Sequence, residues 1–170
     1  MVLMLDEVQS ALAVFAHPDD AEWLFGGTVA RLTAQGARVD YVVCTDGANG
    51  GIERTVPAET ITATRVAELR AAADVLGVTE IVQLGYPDDQ LEPTIELRRD
   101  LVRAIRTFKP QVVLAMTPTR VPDATMDILH GDHMASAEAA LLASYPEALM
   151  PRIYPEQLDE GLAAHLVTDV

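Results

Sequence analysis

Short apolar runs alternate along this chain with segments whose apolar residues recur every three to four positions, the pattern of a parallel sheet covered by crossover helices. Four strand-then-helix units are expected, with strands at 11–16, 38–44, 80–84 and 111–116 and helices at 25–35, 59–76, 94–108 and 133–144. Gly36 and Gly77 close the first two helices, in the position that tolerates a left-handed backbone, and Lys109-Pro110 ends the third. Val66, Leu69, Ala73 and Leu76 form the inward stripe of the second helix, and Leu97, Leu101, Ile105 and Phe108 that of the third. A long loop, 117–132, separates the fourth strand from its helix, and loops of that length in compact domains are usually functional. Pro146, Pro151 and Pro155 then break the remainder into short pieces, and 164–170 begins as another strand.

A length of 170 residues suits one domain spanning 1–170, which by surface scaling buries roughly 70% of what its unfolded chain exposes. Residues are 49% hydrophobic and 22% charged, a globular balance, and no apolar run approaches the ~20 residues that span a bilayer. The first residues lack the basic start and apolar centre of a secretory signal, and Cys44 is the one cysteine, so the expected compartment is the cytoplasm. A net charge of −14 repels nucleic-acid phosphates and anionic membrane surfaces, which leaves a small-molecule partner, reached through a cation. The chain is compatible with a homo-oligomer.

The charge pattern becomes chemistry where the strands end. In an open parallel sheet the ligand crevice lies beyond the carboxyl ends of the strands. Each unusual polar stretch here follows a strand: AHPDDAE at 16–22, TDGANGG at 45–51, GYPDDQ at 85–90 and HGDH at 130–133. A catalytic zinc ion takes three nitrogen or oxygen ligands and keeps one position open. His17, Asp20 and His133 supply such a set, with Pro18 holding His17 extended across a tight turn. Asp19 is placed to take a proton from an activated water, and His130, three residues before His133, to stabilise an oxyanion or protonate a leaving group. The plainer alternative is that Asp19 or Asp20 caps the next helix and the histidines lie on the surface. TDGANGG serves as a mobile lip or a simple turn, and no phosphate-loop spacing is present. Cys44 is expected to be a small buried hydrophobe, and His165 to face solvent or an interface.

These pieces together resemble the PIG-L/LmbE family of metal-dependent N-deacetylases, which act on N-acetylglucosaminyl compounds. The matching stretches are AHPDDAE, the Arg65-x-x-Glu68 start of a helix ending in Leu-Gly77, Leu-Gly-Tyr-Pro-Asp88 and His-Gly-Asp-His133, in family order over nearly the whole chain. The resemblance implies a Rossmann-like three-layer α/β/α fold, zinc on His17, Asp20 and His133 with Fe2+ as the other metal to consider, Asp19 as general base and His130 as oxyanion or acid group. It also implies that Arg65 and Asp88 contact substrate hydroxyls, where otherwise Arg65 would pair with Glu59 or Glu68 on a helix surface and Asp88 would form a turn. Gly131 stands where the family usually has proline, and Ile128 where some members have tyrosine. Family members continue well past this length, so the C-terminal part of the family fold is expected to be missing from these residues.

Hydrolysis of an N-acyl amide, an acetyl group on an amino sugar, is therefore the expected activity. Two alternatives remain. Two histidines and one carboxylate also form the triad of non-haem iron(II) oxygenases, but that triad sits on all-β jelly rolls and this chain alternates strand and helix. The other is a sugar- or metal-binding module without catalysis.

Overall fold

The structure, a computed structural model, describes residues 5–51, 55–119 and 130–170. Most of the long loop, with Pro122 and Ile128, lies outside the described residues. Four strands form one parallel sheet in the order β3-β2-β1-β4: β1 (Ser10–Phe15), β2 (Arg38–Thr45), β3 (Ile81–Tyr86) and β4 (Val112–Leu114). The register sets Phe15 beside Val43 and Ala13 beside Leu114. The chain moves outward from β1 through β2 to β3 and then returns to the other side of β1 for β4. That reversal opens a crevice beyond the carboxyl ends of β1 and β4, as in doubly wound α/β sheets.

Alternation along β1 builds the three layers, because successive side chains point to opposite faces. Leu12 and Val14 join Val42, Cys44, Leu97, Leu101, Ile105, Val113 and Ala139 in one core, under α4 (Ile95–Phe108) and α5 (Gly131–Leu142). Ala11, Ala13 and Phe15 join Val29, Leu32, Tyr41, Leu69 and Ala73 in the other, under α2 (Gly26–Ala34) and α3 (Ala58–Leu76). The expected α/β/α architecture is the observed one. Cys44 is fully buried in the first core, as expected, and burial pushes its thiol pKa up.

Local chemistry places the helix ends. Thr94 caps α4 by accepting from the Leu97 N–H at 3.2 Å, and Gly77 ends α3 with φ +75°. The last helix, α6 (Pro155–Asp159), follows the proline-interrupted stretch. Arg106 of α4 is wholly buried and donates to the carbonyls of Glu147, Ala148, Met150, Ile153 and Tyr154 and to Gln157 Oε1 at 3.0–3.2 Å, fastening that stretch to the domain.

Several expectations change. Helical structure starts at α1 (Asp20–Leu24), ahead of the expected 25–35 helix, because the turn at His17–Asp20 already bends the chain into helix and the break falls at Phe25. The helix after the long loop starts at Gly131 rather than 133, capped by His130, whose Nδ1 accepts from the Asp132 N–H at 3.2 Å. Residues 164–170 make no strand but a single parallel bridge, Val112 to Asp169, because β4 beside them is only three residues long. His165 is half-buried, its Nε2 2.7 Å from the Pro110 carbonyl, which closes this tail onto the end of α4. Among the described residues no helix is long and apolar enough to cross a membrane.

Candidate metal centre and cleft

The AHPDD turn leaves β1 with Asp20 folded back on it. Asp20 Oδ2 accepts from the Ala16 and His17 N–H groups at 3.1 and 2.7 Å, satisfying backbone donors that the end of the strand leaves free. Neither aspartate serves as a helix cap: Asp19 occupies the cap position of α1 but makes no capping bond. Asp20 Oδ1 instead faces His133 Nε2 at 3.0 Å, and its Oδ2 lies 3.4 Å from His17 Nδ1. His17 Nδ1 and His133 Nε2 are 3.1 Å apart. Four candidate ligand atoms from three residues therefore crowd together. Ligands at ~2.0 to 2.2 Å from a tetrahedral ion stand ~3.3 to 3.6 Å from one another, so the cluster has nearly the spacing that an ion requires.

The other face of His17 supports the same fit. Its Nε2 lies 3.1 Å from Asp88 Oδ1 and 3.4 Å from Asp132 Oδ2, so an Nε2–H donated to these buried carboxylates leaves the Nδ1 lone pair toward the cluster. Metal-binding histidines commonly have such carboxylate partners. Burial alone would lower the His17 pKa; the hydrogen bond and charge of Asp20, with Asp88 and Asp132 beyond, outweigh it and raise the pKa above the ordinary histidine value. Burial would raise the Asp20 pKa, yet its bonds to His133 and His17 hold it well below the usual carboxylate range. His133 Nδ1 is buried without a partner.

His130 completes a trio of touching imidazoles, its ring centroid 4.8 Å from that of His17 and 5.0 Å from that of His133. Because its Nδ1 is an acceptor in the helix cap, the neutral ring carries its proton on Nε2, 3.1 Å from Asp89 Oδ1. Asp19 is exposed, and its Oδ1 accepts from Arg65 Nη2 at 2.6 Å. Arg65 also donates to the Gly47 carbonyl at 2.9 Å and lies 3.9 Å from Asp88 Oδ2, so it faces the crevice and pairs with neither Glu59 nor Glu68. Asp88 does more than form a turn: its Oδ2 accepts from the Asn49 N–H at 2.9 Å, tying the GYPDDQ loop to TDGANGG. TDGANGG in turn packs on Arg65, and a Cβ at Gly50 would run into the guanidinium, 2.8 Å from Cζ.

All four polar stretches meet in one cleft of about 260 Å3, lined by His17, Asp19, Asp20, Trp23, Asn49, Gly50, Arg65, Asp88, Asp89, His130 and His133. Each site residue expected from the sequence lies in it. Glu22 does not; it is half-buried away from the cleft, where burial raises its pKa and its charge acts on Tyr41. Besides Trp23, Asn49 and Asp89 of the lining, sequence reasoning missed Asp132. Its Oδ2 accepts from the Asp89 N–H at 2.9 Å and its Oδ1 from the Leu91 N–H at 3.2 Å, so it joins α5 to the loop after β3 and faces His17 as well. The one available signal was an acidic residue between two candidate histidines.

Comparison with known proteins identifies the family. The family model described as "PIG-L: GlcNAc-PI de-N-acetylase" matches residues 12–144. The chain belongs to this PIG-L family. A diacetylchitobiose deacetylase of Thermococcus kodakarensis is 32% identical over 97% of the chain and 60% of its own length. A 1D-myo-inositol 2-acetamido-2-deoxy-alpha-D-glucopyranoside deacetylase of Actinosynnema mirum is 32% identical over 84% of the chain and 57% of its own length. The solved N,N'-diacetylchitobiose deacetylase of Pyrococcus horikoshii, in complex with an inhibitor, superposes with a TM-score of 0.87 at 29% identity, over 95% of this chain and 58% of that one. The chain thus spans about 60% of the length of the relatives it matches. The PIG-L relatives are deacetylases of GlcNAc-type compounds, and the described residues hold a His-His-Asp group suited to a metal.

Proposed function

We propose that this chain carries the centre of a zinc-dependent N-deacetylase, with His17, Asp20 and His133 as ligands and an N-acetylated amino sugar as substrate. The observation that carries the reading is the convergence of His17 Nδ1, the Asp20 carboxylate and His133 Nε2 at 3.0–3.4 Å. A zinc ion held there would act as a Lewis acid toward the amide carbonyl and make water acidic enough to attack near neutral pH; Fe2+ suits the same donors. Asp19, on the open side of the cleft, takes the proton of the attacking water. His130 presents Nε2–H to the developing oxyanion, and the capping bond of its Nδ1 to the start of α5 keeps that donor fixed while charge builds. The amine leaves with a proton passed from Asp19 or His130. Arg65 and Asp88 face the sugar hydroxyls, Asp88 also orienting His17. The acidic chain and its single buried thiol suit a cytoplasmic setting and a small-molecule partner.

The test is acetate release from N,N'-diacetylchitobiose by metal-loaded protein. Asp19→Asn is expected to slow turnover by about 100- to 10,000-fold with metal content unchanged, whereas His17→Ala loses the metal. Full turnover in Asp19→Asn overturns the base assignment, and undiminished metal in His17→Ala overturns the ligand set. Sugar binding by intact, metallated protein without hydrolysis would select the binding-module reading instead.

A further inference from the structure

One wall of the cleft has no part in the deacetylation scheme. Trp23 lines the cleft and is 80% exposed, and it is the only tryptophan of the chain. Its position on α1 places it three residues after Asp20 and four after Asp19, one helical turn on, so the indole stands on the lip directly above the ligand loop. Its indole offers a large, rigid apolar face with a polar N–H edge, the kind of side chain enriched at binding surfaces. The cleft itself, at about 260 Å3, falls at the lower edge of the ~300–1,000 Å3 typical of small-molecule pockets. It has room for little more than the reacting ring, so anything attached to that ring extends to the rim, of which Trp23 forms one wall. The lining also has a sign. Asp19, Asp20, Asp88 and Asp89 face a single guanidinium, that of Arg65, within a chain of net charge −14.

We propose that Trp23 is the platform for a second sugar ring, and that the substrate is an uncharged acetamido-sugar glycoside whose neighbouring ring lays its C–H face on the indole. Even with a divalent ion in place, the four carboxylates of the lining outnumber the charges of the ion and of Arg65 together, so an anionic aglycone on that path meets a field of its own sign. The assignment deepens the deacetylase reading and rests on it for the identity of the reacting ring, but its test is a binding measurement that does not need turnover.

Because Trp23 is the only tryptophan, intrinsic emission reports on this lip alone. Metal-stripped and metal-loaded protein are titrated with N,N'-diacetylchitobiose, with N-acetylglucosamine as the one-ring control and N-acetylglucosaminyl malate as the anionic one. Emission is expected to start as that of a water-exposed indole and to shift saturably with the disaccharide. The disaccharide should bind roughly tenfold more tightly than either control, as one stacked aromatic face allows. By calorimetry, Trp23→Ala should bring disaccharide affinity down to that of the single ring, and Trp23→Phe should recover part of the loss. Unchanged emission at calorimetric saturation overturns the assignment. So does equal disaccharide affinity in Trp23→Ala, an indole already shielded before sugar is added, or failure to bind any of the three sugars. If emission and affinity respond as expected but no acetate is released, the deacetylase reading fails and the stacking assignment stands.

Discussion

Asp132→Asn tests whether the buried carboxylates behind His17 hold the metal centre in shape. The carboxylate now serves two backbone donors, Asp89 N–H at 2.9 Å and Leu91 N–H at 3.2 Å, and stands 3.4 Å from His17 Nε2. An asparagine offers one acceptor oxygen and turns an NH2 group toward the remaining donor. One buried backbone N–H then loses its partner, at about 1–3 kcal/mol of folding stability. His17 keeps Asp88 at 3.1 Å but loses half of the negative charge that aligns its Nε2–H. Losing a carboxylate behind a metal-binding histidine typically weakens metal affinity by about 10- to 100-fold, and the surviving Asp88 puts the expected loss near 10-fold, about 1.4 kcal/mol. Zinc affinity is measured by competition with a chromophoric chelator, and stability by denaturant unfolding of the metal-stripped protein. If zinc affinity stays within twofold of wild type while folding stability falls, Asp132 is only a brace between α5 and the loop after β3, and its metal role is refuted.

Arg106→Met removes six hydrogen bonds at once and strands buried carbonyls of the segment that packs on α4. A loss of about 3–5 kcal/mol is expected in denaturant unfolding. Gly50→Ala adds a methyl group against the Arg65 guanidinium, which should leave the melting temperature almost unchanged yet misplace Arg65 and Asp19, slowing deacetylation by on the order of 100-fold. Metal-stripped protein should respond to pH through His17, whose folded pKa is raised. The stability it contributes is full below its unfolded value of 6.5 and is lost as pH rises through the folded value, so the melting temperature should fall across that window. Asp20 acts with the opposite sign: its pKa is depressed, so its contribution is present above 3.8 and is lost only as pH falls through the lower folded value. Metal competes with the His17 proton, so affinity should rise with pH over the same upper window, and calorimetry in buffers of different ionisation enthalpy should detect proton release on binding.

Much of the fold was legible in the chain because burial leaves a local imprint. The apolar run at 11–16 and the valine-rich run at 38–44, the 97/101/105 stripe and the Gly36 and Gly77 stops each follow from residues a few positions apart, and strands and helices appear close to where they were expected. The boundaries that moved, at Asp20 and Gly131, moved because side chains of the site itself bond to the backbone there, Asp20 to Ala16 and His17, His130 to Asp132. The tail at 164–170 reads as a strand locally, but a strand needs a neighbour of matching length, and β4 offers three residues.

The sequence by itself determined which chemistry is available: the histidines and carboxylates, their placement after strands, and the excess of negative charge. Tertiary structure decided how they are shared out. Strand order is a long-range property, and only the 3-2-1-4 arrangement puts the loops after β1 and β4 side by side, so that His17 and His133, 116 residues apart, come within 3.1 Å. The same closure turned Asp132 from an unremarked spacer into the partner of two backbone amides and a histidine, and drew Arg65 from a helix surface onto Asp19. No spacing along the chain encodes those pairings, because each depends on which loops the folded sheet brings within hydrogen-bond reach.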